Sequence, residues 1–257
     1  MHNNKIAPAS LALALCCSGA FAQSGNYPAR VIKFIVPVAA GGTVDIVARL
    51  FAPKMAQSMN VGVVVDNRPG AGANIAVEQV AKAAPDGYTV FMANPALAIS
   101  ASVYRKLNYD AERDLAPVGL TATSCHLLII HPSLPVRSIK ELIALAKARP
   151  GQLNYGSSGI ASSNHMAGEQ LAHVAGIKIT HVPYKGNGPA NNDLLAGQIN
   201  IMFNTLALVA PLAKAGRLRA IAVSTGKRSI AVPDVPTVPE LLPGYEPIPA
   251  WTSLFLP

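Results

Sequence analysis

Asn154-Tyr-Gly-Ser-Ser-Gly-Ile-Ala-Ser-Ser-Asn-His-Met-Ala-Gly-Glu169 reads as a short strand (153–155), a run of Gly and Ser, and then a helix. Ala167, Leu171 and Val174 give the helix one apolar stripe, and Gly176 stands where a left-handed C-terminal cap is expected. Ser162 or Ser163 suits the N-cap, because a hydroxyl accepts an orphan N–H of the first turn. Small residues before a helix start leave backbone N–H groups open, and the helix dipole favours an anion there. A plain strand-to-helix turn that binds nothing fits this stretch equally well.

A second stretch of the same kind lies upstream. An apolar strand, 31–36, runs into the uncharged loop Pro37-Val38-Ala39-Ala40-Gly41-Gly42-Thr43, and a helix starts near Val44. Asp45 complements the dipole of its first turn, and Pro53 is expected to kink it. Between and beyond the two stretches, strands alternate with helices. Strands are read at 61–66, 89–93, 125–131, 178–182, 199–203, 220–223 and 251–256. Helices are read at 75–83, from the capping box Ser138-Ile-Lys-Glu141 to Arg149, from Pro189 to Gly197, and at 208–215. The pattern predicts an α/β fold of two parallel-sheet lobes with a ligand cleft between them. Residues 23–124 form the first lobe, 125–247 the second, and 248–257 return to the first.

The 257 residues are 51% hydrophobic and 13% charged, which excludes a disordered chain. The net charge of +8 is scattered, with no basic run among aromatics, so no nucleic-acid partner is expected. Lys5, the apolar run 6–20 and Ala20-Phe21-Ala22 form an export signal over residues 1–22. Cys16 and Cys17 lie inside it, although Leu15 fits a lipoprotein cleavage poorly. Cys125 is then alone in the mature chain, which excludes an internal disulfide and a cysteine-based zinc site. No acid-rich loop, His-x-x-x-His pair, P-loop or complete G-x-G-x-x-G occurs, so neither metal nor cofactor is expected. No G-x-S-x-G occurs either, which leaves Ser162 or Ser163 beside His165 as the one candidate nucleophile and base. No carboxylate is placed to orient His165, and no catalytic residue is assigned.

Nine short motifs occur in a fixed order over Tyr27 to Pro257. They are Tyr-Pro (27–28), Val-Pro followed by Gly-Gly-x-x-Asp (41–45), Asn-Arg-Pro-Gly-Ala-Gly (67–72), Ala-Pro-Asp-Gly-Tyr-Thr (84–89) and Ala-Arg-Pro-Gly-Gln-Leu-Asn-Tyr-Gly-Ser (148–157). His-Met-Ala-Gly-Glu (165–169), His-Val-Pro-Tyr-Lys-Gly (181–186), Ala-Gly-Arg-Leu-Arg-Ala (215–220) and Pro-Asp-Val-Pro-Thr-Val (233–238) follow. Together they resemble the solute-binding receptors of tripartite tricarboxylate transporters, the Bug family. The resemblance implies a periplasmic-binding-protein fold closing over a small organic carboxylate, delivered to membrane permease subunits by a periplasmic receptor acting as a monomer. Carried over, Ala40, Gly41, Gly42 and Thr43 hold the carboxylate from lobe one. Ser157, Ser158, Ser162 and Ser163 hold it from lobe two, with Tyr184 and Asn187 at the rim. Asn204 stands where the family often has Asp, so no acid is expected to pair with a ligand amine. Ala161 replaces a Gly and disfavours a positive φ. Family members usually continue past the strand at Trp251, so lobe one is expected to be incomplete, with uncovered apolar surface on the strands from Val31 and Thr89. A serine hydrolase-like enzyme and a non-functional truncated receptor remnant are the alternative readings.

Overall fold

A computed structural model describes residues 27–257. The export signal read at 1–22 lies outside the described residues. Among the described residues, ten strands form two five-stranded sheets. The first is built from β1 (Ile32–Val36), β2 (Val63–Asn67), β3 (Thr89–Ala93), β4 (Ala116–Ser124) and β10 (Ala250–Leu256), in the order β2-β1-β3-β10-β4. The second is built from β5 (His126–Ile130), β6 (Asn154–Ser157), β7 (Thr180–Pro183), β8 (Ile201–Thr205) and β9 (Arg219–Val223), in the order β7-β6-β8-β5-β9.

The sheets are mixed rather than wholly parallel. β2, β1 and β3 pair in parallel, but β10 runs antiparallel to both β3 and β4. In the second sheet β6 pairs in parallel with β7 and β8, whereas β5 is antiparallel to β8 and β9. The reason is connectivity. The chain passes from β4 into β5 through Cys125 alone, and β10 brings it back from the second sheet to the first. Ser124 and Ala250 are paired at that crossing.

Helices cover both faces of each sheet. α1 (Thr43–Met59) packs Val44, Ala48 and Ala52 against Phe34, Val36, Val90 and Met92. On the other face α2 (Asn74–Ala81) and α3 (Ala96–Val103) pack against Ile35, Phe91 and Ala93. β1 and β3 are therefore covered, which corrects the expectation of bare apolar surface on them, although Val31 just before β1 is itself exposed. At roughly 1.5–3 kcal/mol for each fully buried large side chain, these contacts dominate the stability of the sheet. Exposed apolar side chains instead sit on edge strand β4, where Val118 and Leu120 are 58% and 65% accessible. In the second sheet α4 (Ile139–Ala148) and α5 (Ser163–Ala175) cover one face, and α6 (Asn187–Leu195) and α7 (Leu206–Lys214) the other.

α1 runs continuously through Pro53. Three elements depart from the sequence reading. α3 was not expected, because Ala96 to Val103 is apolar or small all round and shows no helical stripe. β4 was hidden by Pro117 and Gly119, and it is at a sheet edge, where a proline costs no ladder bond. A short α8 (Val238–Leu241), capped by Thr237, interrupts the proline-rich segment before β10.

Candidate functional site

A cavity of about 280 Å³ lies between the two sheets at the crossing strands. Its walls carry Thr43, Val44, Ile46, Val47 and Leu50 of α1, Asn94 and Pro95 before α3, and Ala122 to Ser124 of β4. From the other side come His126, Ser158, Ser162, Ser163, Asn164, Asn187, Thr205, Ala207 and Leu208, with Trp251 and Thr252 of β10. No Lys, Arg, Asp or Glu is among the described residues lining it.

One end of the cavity is a hydrogen-bonded polar cluster drawn from both sheets. Thr43 Oγ1 and Thr205 Oγ1 are 2.7 Å apart. The Asn187 side-chain amide donates to both, at 3.1 and 3.3 Å. Asn187 is fixed in turn by the amide of Asn164, which donates to its Oδ1 at 3.0 Å. Asn164 Oδ1 accepts from the hydroxyl and the N–H of Ser158, at 3.0 and 3.3 Å. The two threonine hydroxyls own two hydrogens, and only one is used in their mutual bond. The other is a donor left for a ligand.

α5 is capped at its start by Ser162, whose Oγ accepts the His165 N–H at 3.3 Å, and it ends at Gly176 in the left-handed region. Intrahelical bonding does not reach the N–H groups of its first residues, Ser163 and Asn164, and no other described residue takes them. The preceding loop spends several amides internally: Gly159 N–H donates to Ser157 Oγ, Ser162 N–H to Gly159 O, and Ala161 N–H to His165 Nδ1. Ala161 adopts φ 65° despite its methyl group. The loop thus takes up the left-handed conformation that the residue type disfavours, at a cost of about 1–2 kcal/mol.

His126 enters the site from the first residue of β5. Its Nε2 lies 2.9 Å from Ser163 Oγ, and its Nδ1 is buried without a partner. Burial pushes the imidazole down to about 4, so the ring is neutral over the ordinary pH range. In the tautomer protonated at Nε2, Ser163 accepts from the ring and keeps its own hydrogen to donate.

The proposed site residues divide into two groups. Thr43, Ser158, Ser162, Ser163 and Asn187 line the cavity together. Ala40, Gly41, Gly42, Ser157, Tyr184 and Asn204 are not among the lining residues. Gly41 N–H donates to Asp45 Oδ2 at 2.9 Å, and Gly42 N–H to Ala39 O at 3.2 Å, so both amides are engaged within their own loop. Burial raises the Asp45 carboxyl, but bonds from Arg49, Gly41 and Asn67 outweigh it and hold the group below the usual range. Ser157 meets His181 Nε2 at 2.6 Å. Tyr184 donates to Asp193 at 2.7 Å, and burial with that carboxylate pushes the phenol up to about 12. Asn204 is fully buried and accepts the Thr205 N–H at 2.7 Å.

His165 does not pair with Ser162 or Ser163 through its ring; its Nδ1 takes Ala161 N–H. It stacks on His181 at 4.0 Å between centroids, beside Tyr155 and Glu169. Among the described residues lining the cavity, the serine whose hydroxyl meets a histidine ring is Ser163, and the histidine is His126. Sequence reading did not single out His126, Asn94, Asn164 or Thr205 as partners of these serines. A polar residue opening the apolar strand β5 is the one local signal that marks His126.

Two mixed α/β sheets, joined at paired crossing strands and enclosing an uncharged cavity, define a solute-binding receptor of the periplasmic-binding type. The chain belongs to the family described as "Tripartite tricarboxylate transporter family receptor", whose profile matches residues 47–257. It is 37% identical over 252 residues to the UPF0065 protein in the tcbD-tcbE intergenic region of Pseudomonas sp. (strain P51), covering 97% of this chain and 75% of that one. It is 36% identical over 239 residues to protein BugT of Bordetella pertussis, covering 91% of this chain and 73% of BugT. Among solved structures, an R. palustris protein with adipate superposes with a TM-score of 0.86 at 38% identity, covering 90% of this chain and 78% of that one. MatC from Rhodopseudomonas palustris with bound malate superposes with a TM-score of 0.83 at 32% identity, covering 90% and 79%.

Proposed function

We propose that this chain is a periplasmic receptor, exported by its signal at 1–22, that captures a small organic carboxylate and presents it to the permease subunits of a tripartite tricarboxylate-type transporter. The observation that carries this reading is the convergence of an uncommitted threonine hydroxyl, the open N–H groups of α5 and the Ser163 hydroxyl on one uncharged cavity. Such donors favour an anion, and a helix start adds roughly 0.3–2 kcal/mol depending on burial. Adipate and malate in the two relatives make organic acids the class to test first. The lobes in this reading are 23–124 with 248–257, and 125–247, acting as a monomer.

A second reading, hydrolysis, is favoured by the Ser163–His126 contact alone. Nothing orients the imidazole, because Nδ1 has no partner, and a ring held near 4 is a weak general base at neutral pH. We therefore assign no enzymatic activity. Calorimetry of residues 23–257 against a panel of mono-, di- and tricarboxylic acids tests the receptor reading. Binding of at least one acid, lost on conversion to its amide, is the expected result; no heat from any acid would refute it.

A further inference from the structure

Beyond its polar cluster the cavity is uncharged and, on the α1 side, apolar, while Asn94, Thr123, Ser124 and Thr252 add neutral polar groups from the strands. Thr43, Ile46, Val47 and Leu50 recur at i, i+3, i+4 and i+7, so one face of α1 runs from the hydroxyl cluster to bare hydrocarbon over about 10 Å. Leu208 of α7 and the ring of Trp251 complete that wall. The titratable side chain in the lining is His126, which is 3% exposed and lies beside Ser163 at the polar end. The nearest ion pair on α1, Arg49 with Asp45, is closed on itself and absent from the lining.

We propose that the ligand is a monocarboxylic acid with an apolar body, its carboxylate at the Thr43, Thr205 and Ser163 end and its chain along Ile46, Val47 and Leu50 towards Trp251. This rests on the carboxylate-receptor reading and names the ligand class within it. A second carboxylate laid against Ile46, Val47 and Leu50 would lose its water to aliphatic side chains, and no Lys or Arg among the described lining residues would offset its charge. A hydrocarbon chain in the same place removes its own apolar surface, and that of the wall, from water.

Hexanoate, adipate and hexanamide separate the possibilities, because the two acids share a carbon count and differ in one terminal carboxylate. Trp251 is the one tryptophan of the sequence, so its fluorescence reports occupancy of this wall alongside calorimetry. Hexanoate is expected to bind at least ten-fold tighter than adipate, to shift the emission, and to outcompete hexanamide. Leu50, 63% exposed, tolerates a long polar side chain, and Leu50→Lys is expected to move the preference towards adipate by ten-fold or more. Adipate binding as tightly as hexanoate overturns the inference and leaves the carboxylate receptor standing. An unchanged ratio in Leu50→Lys likewise overturns the placement of the chain. Failure of hexanoate overturns the inference alone, whereas no heat from any acid of the wider panel, or equal binding of hexanamide, overturns the receptor reading together with it.

Discussion

Thr43 Oγ1 and Thr205 Oγ1 meet at 2.7 Å, although 162 residues separate them, and the contact joins the first turn of α1 to the end of β8 in the other sheet. A second bridge close by is the Ala39 N–H, which donates to Lys185 O at 2.8 Å. The two sheets are thus held together at the mouths of the loops that lead into α1 and α6. The threonine pair serves both closure and the ligand. Replacing Thr43 by Val removes a donor and one closing bond while keeping the shape, and it should weaken carboxylate binding by about 1.5–3 kcal/mol. Calorimetry would read this as a loss of ten-fold or more. A variant with unchanged affinity would remove the hydroxyl pair from the site.

Stability should fall on acidification. Burial holds the His126 ring at about 4, and burial followed by the neighbouring His165 holds His181 at about 4, against 6.5 in an unfolded chain. The folded state therefore binds fewer protons than the unfolded state between about 4 and 6.5. Stability rises with pH across that window, is complete above it, and is lost as pH falls through it. His126 alone contributes on the order of 3 kcal/mol to this change. Urea titrations at intervals from pH 7 to pH 4 should show the decline, and His126→Asn should reduce it while leaving the part due to His181.

Gly168 is the point where α5 touches β6. A methyl group there would lie 2.3 Å from the Tyr155 ring, which is itself fully buried. Gly168→Ala must push the helix or the ring aside and should destabilise the protein by about 1–3 kcal/mol. The thermal midpoint measures it, and an unchanged or higher value would contradict the packing.

Amino acids should bind worse than the matching acids without an amine. No carboxylate lines the cavity, and Asn204 is spent on the Thr205 N–H, so an ammonium group would be buried without a partner. Hexanoate against its 2-amino derivative is the direct comparison. Tighter binding of the amino acid would show a counter-charge that the cavity walls do not provide.

The Ser163–His126 pair should not turn over esters or amides. The thiol of Cys125 is no substitute nucleophile, because burial pushes it up and away from the thiolate. A hydrolysis rate abolished by Ser163→Ala or His126→Ala would establish an enzyme instead.

Features set by near neighbours in the chain were legible without coordinates. Ser162 caps α5, Gly176 ends it, and the Ser138–Glu141 pair opens α4, because caps depend on residues three or four positions away. The apolar runs of β1, β3 and β5 declared themselves as buried strands for the same reason. The direction of β5 and β10 was not legible, since it follows from how the chain crosses between sheets rather than from any local pattern. The cavity was half legible. Thr43, Ser158, Ser162, Ser163 and Asn187 belong to Gly-, Ser- and Asn-rich loops at helix starts, which advertise open backbone groups. His126, Asn94 and Thr205 sit at the ends of strands, and apart from the polar start that His126 gives to apolar β5 nothing beside them in sequence marks them. They reach the site only because sheet order brings the ends of β3, β5 and β8 to one place, and that order is decided by packing across the whole chain.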